Sequence, residues 1–291
     1  MSIPISVLIL TKNEERDLPG CLESVSWSDD IHVYDSFSSD NTVAIAKSYN
    51  AKVTQRIANN SQASFGGDEA EHRNWGLINI QYKYPWVLQL DADERVDPEL
   101  VTSIHDAVLN PEDNVAFQVQ RRDFFMGRHL KHVQTSPFYL RLFRPEKLRY
   151  KRLINPVSVP DGKVGYLAGF INHFPFIKGI SYWFYRHNLY SSLEAQQLID
   201  NRLGKEKFKI SKALLSNNFH ERRFHQKGLF YRLPARPLVK FLILYIVKKG
   251  FLDGTPGLTY SILQSIYEYM IVLKTREIEQ NLIPKTIEDS K

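Results

Sequence analysis

Trp-Val-Leu-Gln-Leu-Asp-Ala-Asp-Glu, at residues 86–94, is the stretch that decides the fold. Residues 86–90 are mainly apolar and predict a short buried strand that ends abruptly at Asp91. Asp91 and Asp93 then stand where the strand opens into a loop, and such carboxylates can converge on Mg²⁺ or Mn²⁺ bound to diphosphate oxygens. Alternatively, the two aspartates belong to a solvated turn or a helix cap.

The segments around this strand alternate β-branched runs with helix-compatible runs, which is the pattern of βαβ units and a largely parallel sheet. Strands are predicted at residues 5–10, 31–34, 52–55, 115–120 and 138–143, and helices at 42–49 and 69–80. A further helix should begin at Pro98 with Asp97 as its N-cap. The predicted fold class is therefore α/β, Rossmann-like, with its ligands at the carboxyl edge of the sheet.

The loop after the first strand contains neither a Gly-x-Gly-x-x-Gly fingerprint nor a P-loop. A dinucleotide oxidoreductase and a P-loop NTPase are therefore not supported. Thr11, Asn13 and Glu14 in this loop either line a ligand pocket or cap the next helix. Asp35, at the end of the second strand, either accepts hydrogen bonds from a base or ribose or serves as a turn residue.

The charge of the chain is divided unevenly. Residues 1–200 carry 21 Lys and Arg against 24 Asp and Glu, whereas residues 201–291 carry 17 against 8. Helical spacing dominates after residue 180, and two apolar stretches at 238–252 and 257–273 are interrupted by charged residues, so neither has the roughly 20 apolar residues of a spanning helix. We predict one α/β domain over 1–200 and a basic helical appendage over 201–291.

Basic residues interleaved with long apolar runs are typical of helices that lie on a membrane surface. Nucleic-acid binding is the competing interpretation of the basic third, but nucleic acid does not require exposed apolar runs such as Phe-Leu-Ile-Leu at 241–244. The single cysteine, Cys21, excludes an internal disulfide and indicates a reducing compartment. The amino terminus has no basic leader with a long apolar core, so secretion is not expected.

Three segments carry a specific resemblance. Residues 9–15, 34–42 and 86–94 resemble the hallmark segments of family 2 glycosyltransferases with the GT-A fold, and the match extends over residues 3–200. The sequence looks most like bacterial enzymes that build lipopolysaccharide cores and exopolysaccharides. The resemblance implies an inverting, metal-dependent hexosyl or hexosaminyl transfer from a nucleotide sugar, UDP by family habit, to a lipid-linked or lipid-anchored glycan. It also implies action at the cytosolic face of the cell membrane, in the cytoplasm.

The same resemblance implies roles for individual residues. Those expected to contact the nucleoside are Thr11, Asn13, Glu14 and Asp35; those near the donor are Arg73 and Asn74; those that hold the metal diphosphate are Asp91 and Asp93. His173 resembles the later histidine that completes the metal site, although a lone histidine is also common as a core residue. Arg121 is either a diphosphate ligand or a solvated strand-edge residue.

The catalytic base is the point at which this chain departs from the pattern. Some members of the subgroup carry a His-Glu pair after an Arg-Leu-Phe segment, but here Arg-Leu-Phe at 141–143 is followed by Asn155 and Pro156. An inverting transfer needs a base that deprotonates the acceptor hydroxyl. The candidate for this base is Asp161, the nearest downstream carboxylate, and the other candidates are Glu94 and Asp123. Alternatively, Asp161 only begins an Asp-Gly turn. A donor-binding pseudo-enzyme and a nucleotidyltransferase are the other candidate classes.

Overall fold

The computed structural model describes residues 3–56, 69–134, 137–151, 157–203, 211, 225–226 and 228–282. Residues 1–129 with 135–178 form one compact unit, and residues 130–134 with 179–291 form a second. The boundary predicted at residue 200 falls inside the long helix Ile180–Leu203, which belongs to the second unit. Asn155 and Pro156 lie outside the described residues.

The first unit is built on a mixed sheet whose amino-terminal half is parallel. Its strands are β1 (Ser6–Thr11), β2 (Ile31–Asp35), β3 (Lys52–Gln55), β4 (Val87–Asp91), β5 (Glu94–Val96), β6 (Asn114–Phe125), β7 (Arg128–His129), β8 (Phe138–Phe143) and β11 (Lys163–His173); β9 (Leu148–Lys151) and β10 (Val157–Pro160) form a separate pair. The order in the main sheet is β3-β2-β1-β4-β8-β6-β11-β5, and β7 pairs with β6. The prediction of a mostly parallel α/β fold is confirmed.

Among the described residues, four α-helices accompany this sheet: α1 (Leu18–Ser24), α2 (Thr42–Ser48), α3 (Glu69–Asn79) and α4 (Pro98–Leu109). Because side chains alternate along a strand, Val7 and Ile9 of β1 face a core that includes Leu22 and Leu100, while Leu8 faces a second core with Leu77. Asp97 caps α4 by accepting a hydrogen bond from the Leu100 amide at 2.8 Å, as predicted. Cys21 is fully buried in the first of these cores, as expected of a small apolar side chain.

The described part of the second unit is helical, apart from its connections. Its elements are α5 (Ile180–Leu203), α6 (Arg236–Leu242), a π-helical segment (Ile243–Val247), a 3-10 turn (Gly250–Asp253) and α7 (Gly254–Leu282). The predicted helical character of the region after residue 180 is confirmed for these residues. Within the described residues, none of the helices combines the length and the apolarity needed to cross a bilayer.

The packing of α3 on the sheet depends on a neutral histidine. The His72 ring stacks on Tyr34 with 4.2 Å between centroids, and only 9% of the residue is exposed. Burial, with help from the charge of Arg56, lowers the pKa of His72 to about 4. The unfolded chain, with an ordinary histidine pKa near 6.5, therefore binds a proton that the folded chain does not bind between these two pH values.

This difference predicts acid destabilisation. His72 contributes stability that is fully present above pH about 6.5 and is lost as the pH falls toward about 4, with a slope of at most about 1.4 kcal/mol per pH unit. Urea unfolding at several pH values should show this slope in the wild type and a smaller slope in His72→Phe, which cannot titrate. Equal slopes in the two proteins would contradict the assignment.

Candidate functional site

The candidate site lies where neighbouring strands bring residues distant in sequence together. Asp91 ends β4, Arg141 lies on the adjacent β8, Asp123 on β6 and His173 on β11. These four strands follow one another in the sheet. The antiparallel half of the sheet therefore adds groups to the carboxyl edge of β4, where the sequence places the acidic cluster.

A buried arginine organises the acidic cluster. Arg141 is 7% exposed, and its Nη2 donates to Asp91 Oδ2 at 2.9 Å and to Glu94 Oε1 at 2.6 Å. Glu94 is completely buried and also accepts the Asp91 amide at 2.9 Å, so the turn closes on itself. Burial alone would raise the pKa of Asp91, but the charges of Arg141 and Arg73 hold it well below its ordinary value. Asp91 is thus ionised, with Arg73 Nη2 3.8 Å from its second oxygen.

Glu94 behaves differently from Asp91 although both face Arg141. Burial raises the pKa of Glu94, and the negative charges of Asp91 and Asp93 add to that effect against the attraction of Arg141. Arg141 is the cation closest to Glu94, since Arg121 Nη1 stands 3.8 Å from the same oxygen. The geometry makes Glu94 a structural clamp, and its predicted role as the base stays a prediction.

His173 connects two carboxylates. Its Nε2 lies 3.1 Å from Asp93 Oδ2, and its Nδ1 lies 2.5 Å from Asp123 Oδ1. Burial opposes protonation, yet the charge of Asp93 and the hydrogen bonds to both aspartates raise the pKa of His173 to about 9. Asp123 is in turn held by Arg121, whose Nε is 3.2 Å from Asp123 Oδ1. Arg121 therefore faces protein carboxylates in this structure.

Backbone register sets the position of His173. In β11, Tyr166 pairs with Gln118 of β6 and Phe170 pairs with Gln120, so β11 contains two more residues than β6 over this interval. Gly169 lies in this bulge with φ of +82°, and a Cβ there would come within 2.3 Å of the Leu100 backbone nitrogen. After the bulge the register is regular, and His173 pairs directly with Asp123.

The predicted metal ligands are only partly brought together. Asp93 and His173 face each other, whereas Asp91 is bound to Arg141. Among the described residues, no group of three or more His, Cys, Asp or Glu side chains is arranged to hold a metal ion. One carboxylate and one imidazole nevertheless suit Mn²⁺ or Mg²⁺ when diphosphate oxygens supply further ligands. The contact between Nδ1 and Asp123 is the outer-shell arrangement that commonly orients a metal-binding histidine.

The residues expected to contact the nucleoside are engaged by other groups of the protein. Thr11 donates from Oγ1 to Asp35 Oδ1 at 2.8 Å, and the Asp35 carboxylate also accepts from the Ser38 amide and from Gln55, each at 2.9 Å. Asp35 is fully buried, and these three donors engage both of its carboxylate oxygens. Asn13 accepts the Ser39 amide at 2.8 Å. Nucleoside contacts by Thr11, Asn13 and Asp35 remain predictions.

Neither Thr11 nor Asn13 caps the next helix, contrary to the alternative interpretation. The N-cap position of α1 is held by Asp17, which makes no side-chain cap hydrogen bond. Glu14 pairs with Lys178 at 2.6 Å, and burial is the main cause that raises the pKa of Glu14 to about 7. The pairing with Lys178 could not be predicted from local sequence patterns, because this lysine lies 164 positions further along the chain.

The remaining predicted residues occupy different places. Asn74 bonds through both ends of its amide to the Tyr150 backbone, at 2.9 and 2.7 Å, and so joins α3 to β9. Asp161 lies on the turn between β10 and β11, with 84% of its side chain exposed and Lys147 Nζ 3.3 Å away. The positive φ of Gly162 fits the Asp-Gly turn that was the alternative interpretation.

Comparison with known proteins identifies the family. The model of the family described as "Glycosyl transferase family 2" matches residues 6–170, more than half of the chain. The chain belongs to this family. It is a glycosyltransferase with the GT-A fold, and the matched region includes Asp91, Asp93 and Arg141 but ends before His173.

Two curated relatives extend the similarity over nearly the whole chain. The lipopolysaccharide core biosynthesis glycosyltransferase LpsC of Rhizobium meliloti is 27% identical over 278 residues, which cover 94% of this chain and 92% of LpsC. An uncharacterized glycosyltransferase of Rickettsia typhi is 26% identical over 281 residues, covering 94% of this chain and 87% of that protein. The family 2 glycosyltransferase is therefore similar to its relatives beyond the catalytic region.

A solved structure shows a more distant likeness. Glucosyl-3-phosphoglycerate synthase from Mycobacterium tuberculosis, in complex with Mn²⁺, UDP-glucose and phosphoglyceric acid, is 19% identical with a TM-score of 0.35. The alignment covers 50% of this chain and 57% of the mycobacterial one, so it spans little more than half of that protein. At this distance the likeness carries no conclusion about substrate or metal.

The clamp around Arg141 predicts a large loss of stability on its removal. Arg141→Leu leaves Glu94 buried without its nearest cation, which should cost about 3–5 kcal/mol in the free energy of unfolding measured with urea. The double variant Arg141→Leu with Glu94→Leu should recover much of that loss, because no unpaired buried charge remains at position 94. A single variant that loses less than about 1 kcal/mol would contradict this description of the cluster.

Proposed function

We propose that this glycosyltransferase performs an inverting, metal-dependent transfer of a hexose or hexosamine from a nucleotide sugar, with UDP as the favoured nucleotide. The observation that supports the proposal is the facing pair of Asp93 Oδ2 and His173 Nε2, 3.1 Å apart, at the carboxyl edge of the sheet. Ligands of open α/β sheets bind at this edge. The acceptor we propose is a lipid-linked or lipid-anchored glycan of a cell-surface polysaccharide.

Asp93 and His173 are the residues that would hold Mg²⁺ or Mn²⁺. When bound, the ion supplies a positive charge that stabilises the negative charge on the departing diphosphate. Asp123 orients the imidazole of His173 through its contact with Nδ1, so that Nε2 is directed at Asp93. His173 Nε2 would hold the ion only as an unprotonated nitrogen, so any proton between it and Asp93 would have to leave.

Two cations contribute to the donor side of the proposed site. Arg73 lies 3.8 Å from Asp91 and 5.6 Å from the Tyr150 ring centroid. Arg141 holds Asp91 in one orientation through a 2.9 Å hydrogen bond. We propose that Asp91 orients the donor rather than binding the ion as a direct ligand, because both of its oxygens already face guanidinium groups. The proposed donor side also includes the segments whose positions are fixed by the hydrogen bonds and ion pairs of five other residues: Thr11, Asn13, Glu14, Asp35 and Asn74.

The other functional classes receive less support. A nucleotidyltransferase does not fit membership of a glycosyltransferase family. A pseudo-enzyme that binds the donor without transfer would retain Asp93 and His173 but lack a base, so the experiments below measure binding and transfer separately. Nucleic-acid binding would need an exposed basic surface without the exposed apolar side chains that the second unit presents.

We further propose that the enzyme acts at the inner face of the cell membrane, from the cytoplasm. The relative LpsC is named for lipopolysaccharide core biosynthesis, and this name supports the proposal of a lipid-anchored acceptor for this chain. The basic carboxyl-terminal third, with 17 Lys and Arg against 8 Asp and Glu in residues 201–291, suits an anionic lipid surface.

Removal of the proposed ligands should abolish metal-dependent donor binding. With Mn²⁺ present, UDP at about 100 times its dissociation constant should stabilise the wild type by about 2.7 kcal/mol in a thermal-shift experiment. Asp93→Ala and His173→Ala should lose the Mn²⁺-dependent part of this shift, and Asp123→Ala should weaken Mn²⁺ binding by about 10–100-fold. If the Asp93→Ala and His173→Ala variants both kept the full Mn²⁺-dependent shift with UDP, the proposed metal site would be refuted.

Asp161→Asn is both the control for those variants and the test of the base. If Asp161 deprotonates the acceptor, sugar transfer falls by orders of magnitude while donor binding is retained. We expect unchanged transfer, since the exposed carboxylate lies on a turn and pairs with Lys147. Transfer is measured as release of the nucleoside diphosphate in the presence of membranes that carry the acceptor. A large loss of transfer with intact UDP binding would assign the base to Asp161.

A further inference from the structure

Helix α7, the longest described helix of the second unit, exposes a stripe of apolar side chains. Its exposed positions include Ile262, Ile266, Tyr269 and Leu273, which are 44%, 37%, 52% and 45% exposed. The spacing of four, three and four residues places these side chains on one stripe of α7. Glu268 of the same helix is 5% exposed. On a helix that faces water, the apolar side chains would be buried and the glutamate exposed.

The preceding helical segment shows a second apolar stripe. Leu238, Leu242 and Ile246 recur every four residues and are 58%, 40% and 55% exposed, and Val247 is 72% exposed. Phe251 follows in the 3-10 turn at 48%. These nine exposed apolar side chains on adjoining elements are far more than the scattered single residues of ordinary surfaces.

The two stripes belong to helices that pack against each other. Ser265 donates to the Pro237 carbonyl at 2.7 Å, and Arg236 Nε lies 3.3 Å from Glu268 in a buried ion pair. Ile262, Ile266 and Tyr269 neighbour these contact residues on α7 within one helical turn. The α7 stripe therefore runs along the edge of α7 that lies beside α6, and we call the two stripes together the apolar face.

Most exposed charges near the apolar face are positive, and Glu277, one turn beyond Leu273, is an exposed carboxylate at its end. Between residues 228 and 275 the sequence contains two carboxylates, Asp253 and Glu268, and both are buried, at 2% and 5% exposure. Asp253 accepts hydrogen bonds from the backbone amides of residues 131–133. The basic residues Arg232 and Lys249 are exposed, while Lys240 and Lys248 are half-buried. The surface of this region is therefore apolar and cationic.

We infer that the apolar face inserts into the headgroup layer of an anionic lipid bilayer, with Leu242, Ile246, Val247, Ile266 and Leu273 as its apolar anchors. Burial of apolar side chains and attraction of lysine or arginine to anionic headgroups are the two contributions that bind interfacial helices. A second copy of the chain is a poorer occupant, because a symmetric contact would set cationic surfaces against each other. This inference deepens the membrane part of the proposed function and does not depend on the metal site.

The test is co-sedimentation of the full chain with vesicles of phosphatidylcholine alone or with one-third phosphatidylglycerol. The wild type should bind the anionic vesicles, and each of Ile246→Glu, Val247→Glu and Ile266→Glu should weaken binding about tenfold or more, because the carboxylate must enter the headgroup layer. Ile78→Glu and Leu109→Glu are matched controls, since these side chains of the first unit are 66% and 57% exposed. They should bind as the wild type does.

The electrostatic part of membrane binding can be tested separately. Lys249→Gln should weaken binding to the anionic vesicles more than binding to phosphatidylcholine vesicles, and added salt should have the same effect. Val247→Ser is a milder change at a 72% exposed position, and thermal melts should show that it and the Glu variants remain folded. Wild-type binding by the three Glu variants would overturn the inference, as would a dimer that dissociates in these variants without any vesicle binding. The Mn²⁺-dependent UDP shift, measured on the same variants, reports separately on the proposed transferase site.

Discussion

The arrangement of the candidate site depends on one buried cation, Arg141. Its guanidinium satisfies Asp91 and Glu94 simultaneously, and Glu94 in turn accepts the Asp91 amide. Two carboxylates so close to each other at the end of a strand would otherwise repel, and one of them would take up a proton. With Arg141 in place, the turn after β4 is fixed and Asp93 is left to face His173. This ion pair explains how the groups of the site are held.

Local features of the fold could be predicted from the sequence, because they depend on neighbours in the chain. The apolar run before Asp91, the N-cap at Asp97 and the helical region after residue 180 were each indicated by patterns within a few residues. The contacts within the site could not be predicted in this way. Asp123 and His173 meet across 50 positions, and Asp91 and Arg141 across another 50, so only the strand order brings them together.

The nucleoside side shows a different limit of sequence reasoning. The resemblance located Asp35 and Asn74 but could not reveal that their polar atoms are already used by Ser38, Gln55 and the Tyr150 backbone. A polar residue in a hallmark segment can be retained because it shapes a loop as well as because it touches a ligand. Asp161, by contrast, is an accessible carboxylate on an exposed turn, and its role as the base stays a prediction.

The two-residue bulge in β11 has a consequence for comparing relatives of this protein. Without it, regular pairing from Tyr166 and Gln118 onward would place Ile171, not His173, opposite Asp123. Alignment of related chains by residue count alone would therefore mistake the partner of this aspartate wherever the bulge is missing or longer. The position of the histidine is therefore defined by its pairing with Asp123 of β6. In a homologue that lacks the two bulge residues of β11, we expect the histidine two sequence positions earlier.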